Sequence, residues 1–587
     1  MISLLRDRHA RFTDALNVID RSGAAQMIES FYDEDRLPGG RTPGGIAYTI
    51  RAVLVAMMLR IIECTPPSYA GILATLAEFD ADQLAAVGMA GQDLTPIRHN
   101  VRSEYRKFHG WLDRRLEPLD PGSDLPAHRV TNENHKAMIA ARTADARDRA
   151  MLAVQRIDTL LNRIVAASVE ETTPNGYCGD LVADESIFDL AGPSAGLGSR
   201  PDKHRAAAYC GKYYKRDKQT GEVRTERMPI ESSKTGFGVG LTAISRVGPL
   251  QAVHAVAPVI VGIAVREPTS ANVEGVRVAM EGMHENSLAA RKSSRARWPH
   301  FVVDMGYNQK RGFADLLLDH QYSPVARYPK GWNLQFPAAH PFPSDDTDPG
   351  PIQIAGAFYC PAVVEYTKAH GVPETRRLLE NKDFRLHDDR LRRLYPFLMG
   401  TNSRPKRRRV DRGRPGIGQQ PQMAVTQELV CPAAMGKLRC KLKPDSTTQI
   451  PVGVQEAQPT WSAERYRCCT KSTVTVAYTE KQLRLAQWNL VPGSWEHALY
   501  FEAARALTEQ RFSLLKSPYV TGIQALKWGP RREPMIKIIL ALAVAATNLR
   551  IQASFDPSAV RTESMDIRWR QLTADLGHEP IRMPPRT

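Results

Sequence analysis

Two apolar runs in this chain each close on an aspartate: Leu181-Val-Ala-Asp184 and His300-Phe-Val-Val-Asp304. A carboxylate at a strand end sits on a rigid sheet and faces solvent, which suits a metal ligand. Taken singly, such an Asp is as readily the start of a turn. A third carboxylate changes the balance. Glu509 follows Arg505 by four residues and precedes Lys516 by seven. At 3.6 residues per turn, these three share one face of a helix. The rest of that segment is apolar (Leu499, Phe501, Leu507, Phe512, Leu514, Leu515). Docked on a sheet, such a helix carries Glu509 to the two strand-end aspartates.

The elements that must position these groups follow from residue patterning. Gly236–Ser245 and Leu250–Val265 read as strands rich in Val and Ile, and Tyr322–Arg327 as a shorter one. Ser270–Arg291 and Gln309–His320 read as helices. Three strands, a helix, a strand, a helix and a strand describe a mixed sheet flanked by helices. Ahead of it, residues 1–120 read as helical. Tyr48–Ile62 and Ser68–Leu76 form a pair across Pro66-Pro67, with Ser68 in capping position. Such a pair suits a DNA-binding helix-turn-helix and any small helical bundle equally. The basic segment Arg98, Arg102, Arg106, Lys107, Arg114 and Arg115 tilts the reading toward DNA, and 134–168 reads as a long connecting helix. Residues 330–490 break the pattern with dense Pro, Gly and Asp, a basic run at Arg404–Arg409 and short β-like pieces such as Ser472–Tyr478. Helical pattern resumes at Trp495–Lys516 and Met535–Ile551.

A chain of 587 residues with formal net charge +16 is expected to form several domains and to favour a polyanionic partner, nucleic acid first. Its longest apolar stretches, Leu250–Val265 and Met535–Leu549, fall short of the ~20 uninterrupted residues of a membrane span. The charged opening segment does not read as a signal sequence. Eight cysteines make no disulfide framework in so long a chain, so a reducing cytosol is expected.

With these residues in hand, the chain resembles the DDE transposases of insertion sequences, in the IS4/IS1182-like branch. Asp184 in Val182-Ala-Asp-Glu-Ser186 resembles the family's first Asp. Asp304 in Val303-Asp-Met-Gly-Tyr307 resembles the second, which is typically followed by Gly-Tyr. Arg505, Glu509 and Lys516 have the spacing of that branch's Arg, Glu and Lys, and Arg511–Lys516 and Asn548-Leu-Arg550 fit as well. Position 502, where the signature carries Tyr, is Glu, and the first Asp is followed by Glu185.

The resemblance implies an α/β fold: an RNase H-like catalytic core with a helical N-terminal domain and a β-rich insertion. The divisions are 1–125 (DNA-binding), 126–175 (connecting helices), 176–330 (first part of the core), 331–490 (insertion), 491–555 (core helices carrying Glu509) and 556–587 (tail). It also implies two-metal phosphoryl transfer, with Asp184, Asp304 and Glu509 holding two Mg²⁺ or Mn²⁺ ions ~4 Å apart. Asp184 would bridge the ions. Arg505, Arg511, Lys516, Arg407, Arg408 and Arg409 would meet DNA phosphates or orient Glu509. The partner would be double-stranded DNA, the element's terminal inverted repeats and its target, engaged by a homodimer in a prokaryotic cytoplasm at the nucleoid. A metal nuclease that cuts without joining and an inactive DNA-binding descendant are the alternatives.

Weaker signals have plainer readings. Asp180 opens the first strand, and Glu185 points to its opposite face. Gly236-Phe-Gly-Val-Gly240 lacks the Lys-Ser/Thr ending of a phosphate loop and reads as strand. Cys431 and Cys440, with Cys468, Cys469 and the upstream Cys360, contain the donors of a structural zinc site. Their spacings are not those of close CxxC pairs, and core or free cysteines are the expectation.

Overall fold

The computed structural model describes residues 7–35, 46–172, 174–192, 200–217, 233–269, 272–290, 297–308, 310–328, 334–340, 347–372, 374–411, 421–556 and 564–586. Five N-terminal helices are central to the packing: α1 (Arg8–Ser22), α2 (Ala24–Asp35), α3 (Ile50–Ile62), α4 (Tyr69–Ala77) and α5 (Val101–Leu116). Ser68 caps α4 as its position suggests, accepting the Gly71 N–H at 3.2 Å. α3 is apolar nearly all round and accordingly buried nearly all round. The expected connecting helix is two helices, α6 (Asn132–Ala140) and α7 (Ala144–Ala167), because Thr143 caps a fresh start.

The central sheet contains β1 (Leu181–Asp189), β2 (Lys212–Asp217), β3 (Ser233–Arg246), β4 (Ile260–Arg266), β5 (His300–Val303) and β6 (Ser323–Val325). β1 is interior, antiparallel to β3 on one side and parallel to β5 on the other, and β6 continues parallel beyond β5. On the far side of β3, β2 pairs along Ser233–Gly238 and β4 along Gly240–Ser245. The succession of strands and helices expected from the sequence is present, with β2 in addition. Leu250–Val265 forms strand only from Ile260, since Pro258 removes a ladder donor and the preceding stretch turns. The Gly236–Gly240 run is strand, as expected. A side chain at Gly238 would meet the Phe188 carbonyl oxygen at 2.4 Å, so glycine is what lets β1 and β3 close there.

Helices α8 (Asn272–Glu285), α9 (Phe313–Asp319), α10 (Trp495–Leu515) and α11 (Glu533–Ser554) complete the core. On one sheet face Leu181, Ala183, Phe301 and Val303 pack against α8, and on the other Val182 and Val302 pack against Tyr500, Phe501, Ala504 and Leu507 of α10. Among the described residues no strand pairs with the outer side of β4, and two buried asparagines close that edge. Asn548 of α11 accepts from the Ile260 N–H and donates to its carbonyl, both at 2.8 Å; Asn162 of α7 does the same for Ile263 at 2.9 and 3.0 Å. α11 is the one helix among the described residues long and apolar enough to cross a membrane, and most of it is buried inside the protein. One continuous core joins α1–α5, α7, β3, β4 and α11, so the N-terminal helices share their packing with the sheet's flank.

The 335–477 region is less strand-dominated than expected. Its strands are short: β7 (Gln335–Pro337), β8 (Ile352–Ile354), β9 (Ala357–Tyr359), β10 (Gly400–Thr401), β11 (Lys406–Arg409), β12 (Met423–Val430), β13 (Arg439–Cys440), β14 (Glu456–Ala457) and β15 (Thr473–Ala477). They form three small sheets, with helices at Val363–His370, Thr375–Glu380 and Phe384–Leu394 between them. This region has an apolar core that it shares with Trp495 of α10 and with Trp569, Leu572 and Leu576 of the C-terminal helix Ser564–Leu576.

Candidate active site

Asp184 stands in the middle of β1, not at its end, because β1 runs on to Asp189. It is β5 that stops: the parallel register ends at Ala183 opposite Val303. One step further, Asp184 and Asp304 are neighbours across a strand spacing of about 4.8 Å, where β1 has lost its partner. Both follow Val182 and Val302 by two residues, so both project on the face that α10 covers. Glu185 belongs to the opposite face, where its carboxylate accepts the Thr269 N–H at 3.0 Å.

Two anchors fix α10 along β1. The Tyr500 hydroxyl donates to the Asp180 carboxylate at 3.0 Å, and the Lys516 ammonium donates to the Ile187 carbonyl at 2.7 Å. From Asp180, Asp184 lies about 13 Å along the strand at ~3.3 Å per residue. At ~1.5 Å per residue, that distance is about nine residues of helix. Counted from Tyr500, it reaches Glu509. At that rise Glu509 is level with the aspartate pair along the axis of α10, but nine residues at about 100° each turn it to the side away from Tyr500, and the structure does not bring its carboxylate to the pair. The side chain itself is 59% exposed and reaches back to Arg505, with Nη2 to Oε1 at 3.3 Å. Arg505 is the cation whose charge acts on Asp184, and its Nε is shielded without a hydrogen-bond partner. Among the described residues, no three His, Cys, Asp or Glu side chains are gathered closely enough to hold an ion as they stand.

The electrostatics separate Asp184 from an ordinary surface carboxylate. Burial pushes the Asp184 carboxyl up to about 7. The Glu185 N–H and Arg505 pull it down, while the charge of Asp304 adds to the rise. Asp184 and Asp304 are half-buried one strand spacing apart, and a hard divalent cation between them would relieve the repulsion that adds to the rise at Asp184. Tyr307, of the Gly-Tyr that follows Asp304, is buried on the other face. Burial first, then the charges of Asp184, Glu185 and Asp304, hold its hydroxyl well above the usual range. It packs in the α8-side core with Phe313 and Val303 and so steadies the turn that carries Asp304.

The remaining cations expected at the site have defined positions. Lys516, besides its bond to Ile187, lies 4.8 Å over the Phe188 ring, tying the end of α10 to β1. Arg511 is buried; its Nε donates to the Leu507 carbonyl and Nη2 to Gln510, and burial lowers it to about 10. Arg407 pairs with Asp315 (2.6 Å) and Asp319 (3.3 Å) of α9, Arg409 pairs with Asp411 at 2.7 Å, and Arg408 is exposed. The helix pair α3–α4 is largely buried; of the basic segment, Arg102, Arg106, Lys107 and Arg114 are exposed on α5, and Arg98 is exposed just before it. Glu502, where the signature carries Tyr, pairs with Arg327 and pins α10 to the end of β6.

Asp180, which the sequence gives only as the opening residue of the first strand, has a structural role of its own. In the structure it is fully buried, bonded to the His300 N–H at 2.7 Å and to Tyr500, and paired with Arg297 at 3.2 Å. His300 in turn bonds Asn489 at 3.0 Å. The network locks the start of β1, the start of β5 and α10 together. Its signal in the sequence was a buried-strand Asp facing a strand-starting His, which means little without the register. No family model matches the chain, and no curated protein matches it.

Proposed function

We propose that the chain is a metal-dependent DNA phosphoryl transferase of the DDE transposase type, cutting DNA strands and joining them to a target. The observation that carries this reading is the Asp184–Asp304 pair under α10, with Arg505 facing it and Glu509 level with it along the helix. The sheet supports an RNase H-like core. Four antiparallel strands (β1, β3 and β4, with β2 added on β3) precede two parallel ones (β5, β6), the first strand is interior, and a late helix crosses it.

Divalent ions bound here would activate the attacking water or DNA 3′-hydroxyl and neutralise the leaving oxygen. Asp184 and Asp304 would hold them, and Glu509 would join on release from Arg505 by rotation of its side chain. Arg505, freed of Glu509, would turn to a DNA phosphate, a role its planar donor fork suits. Lys516 and Glu502 hold α10 in register with β1 and β6. The exposed cations of α5 and Arg408 would follow the DNA backbone.

The test is Mg²⁺- or Mn²⁺-dependent cleavage and strand transfer on DNA bearing the sequences that flank the gene. Asp184→Asn, Asp304→Asn and Glu509→Gln should each remove both activities while gel-shift affinity is kept. Full cleavage by any of the three removes that residue from the site. Cleavage without joined product by the parent chain turns the reading to a nuclease.

A further inference from the structure

Five cysteines far apart in the chain meet in the 335–477 region. Cys360 follows β9, Cys431 follows β12, Cys440 ends β13, and Cys468 and Cys469 lie on a helical turn before β15. All five are buried free thiols. Together with Met399, Ala433, Leu438, Leu442 and Lys443, they line one enclosed cavity of ≈ 10 Å³. That is room for roughly one water-sized sphere, and the wall offers sulfur where a water would need oxygen or nitrogen partners.

Hydrogen-bond donors and one cation face the sulfurs on this wall. The turns after Cys360 and Cys440 aim main-chain N–H groups back at their sulfurs, from Ala362 to Cys360 and from Leu442 and Lys443 to Cys440. The indole N–H of Trp461 is shielded from solvent, makes no full hydrogen bond and lies beside the Cys469 sulfur. The Cys468 S–H also points to Cys469, and Lys443 supplies a positive charge on the wall. Donors and a cation directed at sulfur are what a metal-bound thiolate requires around it.

We propose that this cavity is a structural zinc site, with Cys360, Cys431, Cys440 and Cys469 as ligands and Cys468 donating to Cys469. Four thiols release four protons to solvent as they bind one Zn²⁺, leaving a tetrathiolate of charge −2 that Lys443 and the N–H groups offset. The sulfurs close on the ion by χ1 rotation, since no three of them converge as they stand. The physical need is evident: each ligand sits at the end of an element of eight residues or fewer, in sheets too short to be stable alone. One ion would staple β9, β12, β13 and the turn before β15. This inference is independent of the proposed catalytic activity.

The test is metal analysis of the full-length chain purified under reducing conditions, with Co²⁺ substitution as a second readout. The expected result is about one zinc per chain, with no iron. Co²⁺ should give the thiolate charge-transfer and tetrahedral ligand-field bands of a four-sulfur site. Cys440→Ser and Cys469→Ser should lose the metal, whereas Cys468→Ser should keep it. If a serine variant is insoluble, the Co²⁺ spectrum of the parent chain decides. A chain that is metal-free, takes up neither Zn²⁺ nor Co²⁺ on reconstitution, or pairs these cysteines as disulfides overturns the proposal. So does a Co²⁺ spectrum without sulfur bands.

Discussion

Asp180 and Asp184 stand four residues apart and on the same face of one strand, and the protein treats them in opposite ways. Burial pushes the Asp180 carboxyl up, but His300 and Arg297 outweigh it and hold the group below the usual carboxylate range. The groups bonded to it are the His300 N–H, the Tyr500 hydroxyl and the Arg297 guanidinium, donors and a cation. At Asp184 the same strand offers one N–H, one shared arginine and a second carboxylate, and the group rises to about 7. A buried carboxylate fully supplied with donors is structural, one left short of positive charge beside another is prepared for a cation, and sequence alone does not distinguish them.

The largest expected effect separates the two by activity. Asp184→Asn, which keeps size and shape, should lower strand cleavage by about 10³-fold or more, because the charge is needed and the contacts are not. A loss below tenfold would break the comparison from the Asp184 side. Asp180→Ala should instead destabilise the fold by about 3–5 kcal/mol, since it leaves His300, Arg297 and Tyr500 facing an empty acceptor. Urea unfolding measures this, and a cost under 1 kcal/mol would show that the network is dispensable.

The third effect is smaller and of opposite sign. The folded form holds the Asp184 proton to higher pH than the unfolded chain does, so its ionisation costs stability as pH rises from about 4 through 7. In chelator, Asp184→Asn should therefore be more stable than the parent at pH 8. After discounting for partial exposure, the gain is on the order of 2 kcal/mol, and it should vanish near pH 4. For Asp180 the window is reversed: its stabilisation is present above about pH 4 and is lost as pH falls through its depressed value. The smallest effect sits at the surface. Arg407→Ala should cost less than about 1 kcal/mol in thermal unfolding, because its pairs with Asp315 and Asp319 are half-exposed.

How far the sequence could be read follows from the range of each interaction. The helix carrying Arg505, Glu509 and Lys516 was legible, since spacing on one helix is local, and so were the strand of Asp304 and the capped start of α4. What these residues touch was not. Lys516 reads as a phosphate ligand until β1 is known to pass beneath it, and Asn548 reads as a motif residue until the bare edge of β4 is seen. Asp184 reads as a strand end because β1's later residues, Glu185 to Asp189, are more polar than an interior strand suggests. The five cysteines are the buried, free thiols expected of them, but the cavity they share was not legible. Their spacing along the chain is irregular, and only the folding of four short segments onto one cavity brings them together.

The central claim, that Asp184 and Asp304 are one cation site, is tested most directly by Mn²⁺ titration of the DNA-free chain at pH 8, read by calorimetry or electron paramagnetic resonance. The parent should bind Mn²⁺ in a manner displaced by Mg²⁺, and Asp184→Asn and Asp304→Asn should each lose that binding while keeping the parent's circular dichroism. Equal Mn²⁺ binding by the parent and both variants would contradict the account.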